Sequence, residues 1–313
     1  MLDAYGREVS SLRISVTQEC NLSCFFCHRE GECSAPSERM SVGEILKLVE
    51  VGRMLGVEKV KVTGGEPLLR PDIVEVVRGI SALVEEVSLV TNGLLLRRFA
   101  GELREAGLRR VNVSLHSLDR RNYRAITGAD RLEEAKDGID AALENGLKPL
   151  KLNAVVLKGL NDSEIWDMVD FAFEKGAVLQ LIELQAIGGG GGGSGDAEGW
   201  FKERYVDLSQ IESALRKKAA KVLERDFQRR RKYFLRRGAG EAEVEVVKPT
   251  HNSKFCMGCT RLRATSDGRL KPCLMRTDNL VEFASLVRAG AGERELVEAY
   301  LEAVRRREPF WKG

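Results

Sequence analysis

Three cysteines near the amino terminus have a spacing that suits metal chemistry. Cys20, Cys24 and Cys27 form the pattern C-x3-C-x2-C, directly after a predicted β-strand. Three thiolates on one loop can hold three corners of a single iron–sulfur cubane and leave the fourth iron open to a non-protein ligand. A purely structural metal site is normally closed by four protein ligands. The alternatives are a zinc knuckle that His28 completes and a set of unrelated buried thiols.

A second group of cysteines lies near the carboxyl terminus. Cys256 and Cys259 form a C-x2-C pair, and Cys273 follows later in the chain. Taken alone, this spacing is equally typical of a zinc ribbon that is one ligand short, with His251 as the candidate fourth ligand. Six of the seven cysteines fall into these two groups, which points to metal in a reducing compartment and not to a disulfide scaffold. Cys33 is interpreted as an ordinary thiol.

Composition excludes several classes of protein. The 313 residues are enough for about two domains, or for one large domain with an extension. The chain has 50 Lys and Arg against 47 Asp and Glu, a net charge of +3, so bulk charge predicts neither a nucleic acid nor a membrane as partner. No run approaches the ~20 apolar residues of a membrane span, and residues 1–30 lack the apolar centre of a signal peptide, so we expect a cytoplasmic protein.

The cysteine groups must be positioned by the elements around them, and residues 12–183 alternate short β-branched runs with longer amphipathic stretches, the pattern of successive βα units. The predicted strands are Leu12–Thr17, Lys59–Thr63, Val87–Thr91, Arg110–Leu115, Leu150–Val156 and Val178–Glu183. The predicted helices are 42–55, 72–84, 96–106, 132–145 and 163–175. Left-handed caps are expected just past four of these helices, at Gly56, Gly107, Gly146 and Gly176. Since no dinucleotide glycine fingerprint follows the first strand, the alternatives are a doubly wound sheet and a full or partial βα barrel.

The carboxyl-terminal third begins with a glycine-rich segment. Residues 188–195 read GGGGGGSG, which predicts a mobile loop. Beyond it the patterns predict a helix over Leu208–Leu223, strands over Arg229–Leu235 and Val244–Lys248, and two helices within 281–307. The basic residues of the run Arg229–Arg237 could bind phosphates, but the solvated face of a strand or helix explains them better.

The cysteine patterns and their surroundings resemble a known family. C-x3-C-x2-C is similar to the signature of radical S-adenosylmethionine (SAM) enzymes, and Thr63-Gly64-Gly65-Glu66-Pro67 resembles their GGEP motif, whose glycines let the amino group of SAM approach the backbone. Residues Thr260–Gly268 and Lys271–Leu274 resemble the carboxyl-terminal cluster segment of one family in this superfamily, the GTP 3′,8-cyclases (molybdenum cofactor biosynthesis protein A). Further likeness covers most of residues 5–280, including Leu12–Thr17, Thr91–Leu94, Arg110–Leu115 and Lys151–Val156.

The resemblance implies a fold and two cofactors. The fold is α/β, a partial (β/α)6 TIM-like barrel over residues 1–187, followed by the loop 188–195 and by a smaller carboxyl-terminal α+β domain over 196–313 that closes the barrel mouth. The cofactors are SAM and two [4Fe-4S] clusters that face one another across the cavity. The first cluster is held by Cys20, Cys24 and Cys27, and the second by Cys256, Cys259 and Cys273. The SAM site is lined by Phe26, Gly65 and Ser114. The positions that contact GTP are Arg13, Lys61, Lys151, Arg261 and Arg263.

The implied activity is that of a lyase. It converts GTP to (8S)-3′,8-cyclo-7,8-dihydroguanosine 5′-triphosphate, the first step of molybdenum cofactor (molybdopterin) biosynthesis, with the guanine on the open iron of the second cluster and with Arg13 in a catalytic position. The partners are an electron donor such as a ferredoxin or flavodoxin and a downstream pyranopterin-forming enzyme. Two alternatives remain: a radical SAM peptide-modifying enzyme with an auxiliary cluster, and a zinc-stabilised nucleic-acid-binding protein that uses Arg229–Arg237.

Some positions depart from the family pattern. Gln180 and Gln185 stand where bacterial relatives carry arginine and methionine near SAM, and Val90 replaces a threonine near the substrate. The family usually ends in two glycines whose tail reaches the active site, whereas this chain ends Trp311-Lys312-Gly313. His116, a lone histidine at a strand end, is interpreted as a packing or hydrogen-bonding residue.

Overall fold

The structure is a computed structural model that describes residues 1–32, 38–187 and 197–312. Cys33, the glycine-rich segment 188–195 and Gly313 lie outside the described residues. The predicted mobile loop therefore stays a prediction.

Twelve strands of the described residues form one sheet. In chain order they are β1 (Ser11–Ser15), β2 (Lys59–Thr63), β3 (Glu86–Thr91), β4 (Arg110–Ser114), β5 (Lys151–Val155), β6 (Val178–Ile182), β7 (Ala219–Glu224), β8 (Arg231–Arg237), β9 (Gly240–Val247), β10 (Arg261–Ala264), β11 (Arg269–Lys271) and β12 (Val281–Glu282). Their order across the sheet is β12-β11-β10-β1-β2-β3-β4-β5-β6-β9-β8-β7. The predicted strands β1 to β6 lie side by side in chain order, and every neighbouring pair of them is parallel.

The carboxyl-terminal region extends this parallel sheet at both edges. β10 pairs with β1 and β9 pairs with β6, both in parallel, so eight consecutive strands are parallel where six were expected. Beyond them the chain adds antiparallel strands, β11 and β12 at one edge and β8 and β7 at the other. An edge strand carries unpaired backbone groups, and these additions satisfy those of β1 and β6. The predicted partial barrel and α+β extension are confirmed as fold class, with the extension joined to the barrel's own sheet.

Eleven α-helices lie within the described residues. They are α1 (Val42–Met54), α2 (Ile73–Leu83), α3 (Leu96–Glu105), α4 (Arg120–Thr127), α5 (Leu132–Glu144), α6 (Ile165–Glu174), α7 (Ala197–Arg204), α8 (Leu208–Lys218), α9 (Ser253–Met257), α10 (Ala284–Arg288) and α11 (Glu293–Arg305). The five helices predicted between the first six strands are present, and the four predicted glycine caps have positive φ, as at Gly56 and Gly107. No described helix has both the length and the apolar character needed to cross a membrane.

Several elements differ from the sequence prediction, which did not include α4, α7, α9 or the strands β10 to β12. The helix predicted over Leu208–Leu223 ends at Lys218, and Ala219–Glu224 forms β7, so that prediction was wrong over its last residues. β7 is an edge strand that exposes most of its residues, so its sequence shows no clear period. Helix α4 was not predicted, because only its buried Tyr123 and Ile126 mark an apolar face in a polar segment.

Alternation along the strands separates the core from the cavity. Leu12 and Ile14 on β1 are buried in the apolar core, and Arg13 between them lines the cavity on the other face of the sheet. On β10, Leu262 belongs to the core and Arg261 lines the cavity. The same strands therefore build the core and carry the cations of the site.

Candidate active site

One cavity contains the residues that the sequence singled out. It has a volume of about 780 Å³ and lies on the inner face of the parallel strands. Its lining includes every predicted ligand and contact residue, namely Cys20, Cys24, Cys27, Cys256, Cys259, Cys273, Arg13, Phe26, Lys61, Gly65, Ser114, Lys151, Arg261 and Arg263. The barrel region and the carboxyl-terminal region thus contribute to a single site.

The loop that carries the first cysteines is fixed against the end of β2. The Gly65 N–H donates to the Thr17 carbonyl at 2.7 Å, and the Glu66 N–H donates to the Glu19 carbonyl at 2.6 Å. A Cβ on Gly65 would lie 2.2 Å from the Glu19 carbonyl oxygen, a distance that no real Cβ contact shows. The glycine is therefore required here so that the cysteine loop can approach the strand end.

Glu66 links this strand end to the next one. Its buried carboxylate accepts hydrogen bonds from the Thr91 hydroxyl at 2.8 Å and from the backbone N–H groups of Asn92 and Leu68 at 2.7 and 3.0 Å. Burial raises the pKa of Glu66 to about 7, and these hydrogen bonds offset part of the rise. The Asn92 amide donates to the Asn21 side chain at 2.7 Å, so the network continues into the cysteine loop.

The first three thiols form a donor set that suits an iron–sulfur cluster. Burial raises the pKa of Cys24 to about 12, and the neighbouring Cys27 and Cys20 raise it further because adjacent thiolates repel one another. Burial likewise raises the pKa of Cys20 and Cys27. Since thiolates are the ligands of iron, the cationic centre of a cluster is what would stabilise three of them side by side.

The second group of thiols lies in a more basic environment. Burial opposes ionisation of Cys259, but the charges of Arg261 and Arg307 outweigh it and lower the pKa of this thiol. Burial raises the pKa of Cys273, and the negative charges of the neighbouring Cys259 and Cys256 thiolates add to this rise. The Cys259 carbonyl accepts a hydrogen bond from Arg307 at 2.6 Å, which fixes this loop to the carboxyl-terminal segment.

The two groups lie at opposite ends of the cavity. The first loop follows the carboxyl end of β1, whereas Cys256 and Cys259 precede the amino end of β10, the parallel neighbour of β1. β11 runs antiparallel to β10 and returns Cys273 to the same end. At ~3.3 Å per residue a five-residue strand is on the order of 15 Å long, so about this distance separates the two groups.

A row of cations crosses the cavity between them. Arg13 pairs in register with Arg263 on β10 and with Lys61 on β2, so the three side chains share one level and one face. Arg261 follows on the same face of β10, its guanidinium 5.1 Å from the centroid of the Phe227 ring. This set of four, Arg13, Lys61, Arg261 and Arg263, is called the cationic row below.

Two members of the cationic row have no carboxylate partner among the described residues. Lys61 donates to the Asn112 side chain at 3.1 Å, and Arg261 faces other guanidinium groups. Burial and neighbouring cations lower the pKa of both groups, in Lys61 through Arg110 and Arg13. Uncompensated charges in a partly buried site favour an anionic ligand, and arginine binds phosphate oxygens in a bidentate manner.

The other two members share one carboxylate, that of Glu30. Arg13 donates to it from Nε at 3.0 Å and from Nη2, Arg263 donates from Nη1 at 2.9 Å, and the Thr63 hydroxyl donates at 3.3 Å. Burial opposes ionisation of Glu30, but the charges of Arg13 and Arg263 outweigh it and hold the pKa well below its usual range. Glu30 was not predicted as a site residue, because it belongs to no recognised spacing in the sequence.

A second buried carboxylate organises the opposite wall of the cavity. Glu245 on β9 accepts hydrogen bonds from Lys151, from Gln180 at 3.0 Å and from Arg225 at 3.3 Å, and Arg230 lies 3.5 Å away. Burial opposes its ionisation, but Lys151 and Arg230 outweigh burial and lower the pKa of Glu245 to about 2. Three cations thus face one carboxylate, and the wall keeps an excess of positive charge.

The basic run Arg229–Arg237 divides between surface and cavity. Most of it lies in β8, where Arg231 lies 3.7 Å from Glu224 and Lys232 pairs with Glu243 on the opposite face of the strand, both with side chains that reach solvent. Arg230 is the exception, since it lines the cavity. Periodicity could not single it out, because it lies before the strand begins.

The histidines take hydrogen-bonding and packing positions. The His28 Nδ1 accepts the backbone N–H of Glu30 at 3.1 Å. His116 accepts the Val155 N–H at 3.3 Å and packs edge-on against Phe26, and burial lowers its pKa to about 4. The His251 ring lies 4.0 Å from that of Trp311. Within residues 1–32, 38–187 and 197–312, no three His, Cys, Asp or Glu side chains are gathered around a single metal position.

The carboxyl-terminal segment reaches the cavity. Phe310 and Trp311 line the cavity, and Arg307 is buried against Asp3 at 3.0 Å. Gln180, Gln185 and Val90, the positions that depart from the family pattern, also line it, and Gln180 is held by the wall carboxylate.

Comparison with known proteins agrees with this geometry. The family model described as the radical SAM superfamily matches residues 14–172, and the model described as Molybdenum Cofactor Synthesis C matches residues 177–312. The fold and the cysteine site define the chain as a radical SAM protein. Among named relatives, a probable GTP 3′,8-cyclase of Thermococcus kodakarensis is 49% identical over 313 residues, which are 100% of both chains. One from Pyrococcus abyssi is 46% identical over 99% of each chain. The chain belongs to the GTP 3′,8-cyclase family.

Solved structures show the same fold at low identity. Streptococcus suis SuiB bound to its precursor peptide SuiA has a TM-score of 0.66 and 17% identity, covering 98% of this chain and 66% of that one. The structure of anSMEcpe with bound AdoMet has a TM-score of 0.56 and 16% identity, covering 86% of this chain and 76% of that one. At such identities the likeness concerns the fold alone.

Proposed function

We propose that this chain is a radical SAM lyase that converts GTP to (8S)-3′,8-cyclo-7,8-dihydroguanosine 5′-triphosphate, the first step of molybdenum cofactor biosynthesis. The observation that carries the proposal is the placement of two thiol triads at opposite ends of one cavity with the cationic row between them. Family membership agrees with this assignment and brings SAM and [4Fe-4S] clusters as cofactors.

The proposed role of each group of residues follows from its position in the cavity. Cys20, Cys24 and Cys27 would hold the cluster that binds SAM, with Phe26, Gly65 and Ser114 lining the SAM site. Cys256, Cys259 and Cys273 would hold the second cluster, which receives the guanine. Once bound, the first cluster and SAM supply a 5′-deoxyadenosyl radical that can take hydrogen from a ribose carbon, and the protein contributes placement and exclusion of water.

The cations would bind the triphosphate and hold the ribose in place. Arg261 and Lys61 are suited to this task because no carboxylate in the described structure neutralises them. Arg13, Arg263 and Lys151 line the same cavity with carboxylate partners, so we assign them to the GTP site as residues already oriented before substrate binds. Arg13 is the proposed catalytic cation, next to the nucleotide during the final reduction.

The division into residues 1–187 and 196–313 stays a proposal about domains, and each part supplies one thiol triad to the cavity. The peptide-modifying alternative has only the shared fold in its favour, since the peptide-bound SuiB is 17% identical to this chain. A triphosphate accounts for the cationic row more directly. The electron donor, the downstream pyranopterin-forming enzyme and the cytoplasmic location stay predictions.

The direct test is an anaerobic assay of the reconstituted protein with SAM, GTP and a strong reductant. We expect 5′-deoxyadenosine and a GTP-derived product of the same mass as GTP but with a different chromatographic retention. ATP in place of GTP should give no cyclised product. About eight iron ions per chain should accompany activity, as two four-iron clusters require. Formation of 5′-deoxyadenosine without any GTP-derived product would refute the proposal.

Replacing Arg261 with alanine should weaken GTP binding selectively. A charge-assisted hydrogen bond contributes ~1.5–3 kcal/mol, so the loss should be roughly ten- to a hundredfold. Guanosine offers no phosphate oxygens, so its affinity should change little, and the ratio of the two affinities should fall. Calorimetry with GTP and guanosine measures both.

Arg231→Ala is the matched control, because it removes an arginine of β8 whose side chain reaches solvent. It should leave both affinities unchanged. If Arg261→Ala lowered the melting temperature but kept the GTP-to-guanosine ratio, Arg261 would support the fold and not the phosphates.

A further inference from the structure

The backbone around Glu30 is shaped to place an anion in the cavity. Arg29 and Glu30 have φ of 45° and 53°, and Gly31 follows with φ of 72°. Two successive non-glycine residues in the left-handed region cost conformational free energy, and such strain persists where the surrounding structure imposes it. The Glu30 N–H is held by His28 Nδ1 at 3.1 Å. The turn directs the Glu30 side chain inward, where its carboxylate reaches Arg13 and Arg263.

The Glu30 carboxylate accepts hydrogen bonds from donors that could also bind a phosphate group. Arg13 presents Nε and Nη2 to it, the edge of a guanidinium that normally binds carboxylate or phosphate in a bidentate manner. Arg263 adds Nη1 at 2.9 Å, and the Thr63 hydroxyl adds a fourth donor at 3.3 Å. Arg13 and Arg263 therefore share one internal counter-charge, which offsets one of their two positive charges, whereas Lys61 and Arg261 have no carboxylate partner among the described residues.

We propose that Glu30 is an internal competitor of the substrate's phosphate groups: it occupies Arg13 and Arg263 before GTP binds, and it lowers the affinity for GTP. The inference rests on the proposed function, because it takes GTP as the ligand of the cationic row. Glu30 acts through the two arginines that donate to it, so it is a positioning residue. In the free protein, Glu30 orders the Arg13 and Arg263 guanidinium groups and offsets part of their positive charge.

Glu30→Gln is the informative change because it keeps the size of the side chain and removes its charge. With one negative charge removed beside the phosphate site, GTP and inorganic triphosphate should bind about tenfold more tightly at low salt. Affinity for guanosine and for SAM should not change. The affinity for GTP should also depend more steeply on salt than in the wild type.

Glu32→Gln is the matched control. Glu32 is also buried, two residues further along, but its carboxylate accepts the N–H and hydroxyl of Ser266 at 3.1 and 2.7 Å, and no arginine of the described residues donates to it. It should leave the affinity for triphosphate unchanged. Glu30→Asp retains the charge and should keep the wild-type affinity for GTP within about threefold.

Melting temperature separates competition from a structural role. Without ligand, Glu30→Gln should melt below the wild type, because Arg13 and Arg263 lose their shared counter-charge. GTP should then raise the melting temperature of the variant by more than it raises that of the wild type. This comparison of shifts can be made even if the free variant is only marginally folded. A purely structural Glu30 would lower stability without enlarging the GTP-induced shift.

The outcomes distinguish the two proposals. If the wild type failed to bind GTP or to cyclise it, the proposed function would be wrong. If the wild type did both, and Glu30→Gln bound GTP with equal or lower affinity or showed the same change for guanosine, only the competitor role would be overturned. Tighter binding of GTP and triphosphate, with guanosine unchanged, supports it.

Discussion

Replacing Cys24 with serine should reduce 5′-deoxyadenosine formation to the level of a sample without reductant, while the chain still folds. Cys24 supplies one of three thiol ligands, and a serine hydroxyl does not replace a thiolate on iron. The fold should survive because the apolar core that joins β1–β6 to their helices contains no cysteine within the described part of the chain. Chromatography measures the nucleoside, visible absorbance measures the cluster, and circular dichroism measures the fold.

Cys33→Ser is the matched control for this experiment. Cys33 is the one cysteine outside the two groups, and its spacing marks it as an ordinary thiol. The control should form 5′-deoxyadenosine at the wild-type rate. Continued formation by Cys24→Ser would contradict the assignment of the first triad to the SAM cluster.

The sequence predicts the barrel half of the fold well because its signals are local. β1 to β6 lie within two residues of their predicted bounds at each end, and β2 matches them, since each is a short β-branched run between amphipathic helices. The thiol triads and the Gly64–Gly65 turn are also local patterns. Their convergence in one cavity then follows from the parallel order of the strands, which places the ends of neighbouring strands together.

The rest depends on contacts between distant residues. The residues of Gly240–Val247 and Arg261–Ala264 do not indicate that the first strand pairs with β6 and the second with β1. Which strands pair at the edges depends on the edges that the assembled sheet leaves free. Glu30 and Glu245 were missed for the same reason. Neither glutamate belongs to a motif, and each gains its charge partners only in the folded chain, Glu30 from β10 and Glu245 from β5 and the segment before β8.

The positions of the two triads predict that they can be inactivated separately. Replacing Cys273 with serine should leave SAM cleavage measurable and abolish the cyclised GTP product. Cys273 lies at the amino end of β10, on the order of 15 Å from the loop of Cys20, Cys24 and Cys27 at ~3.3 Å per strand residue. The change therefore removes a ligand of the second cluster, and with it the proposed guanine site, without touching the first.

Both products should be measured in one anaerobic sample of the Cys273→Ser protein, so that a single preparation reports on both triads. Iron should fall from about eight to about four per chain, and 5′-deoxyadenosine should still form because the first triad is intact. The companion Cys24→Ser protein should also lose about four iron ions but should lose 5′-deoxyadenosine as well. Normal cyclised product from Cys273→Ser would make the second triad dispensable. Loss of both products with full iron content would instead mean that the two ends of the cavity are coupled through the cationic row that joins them.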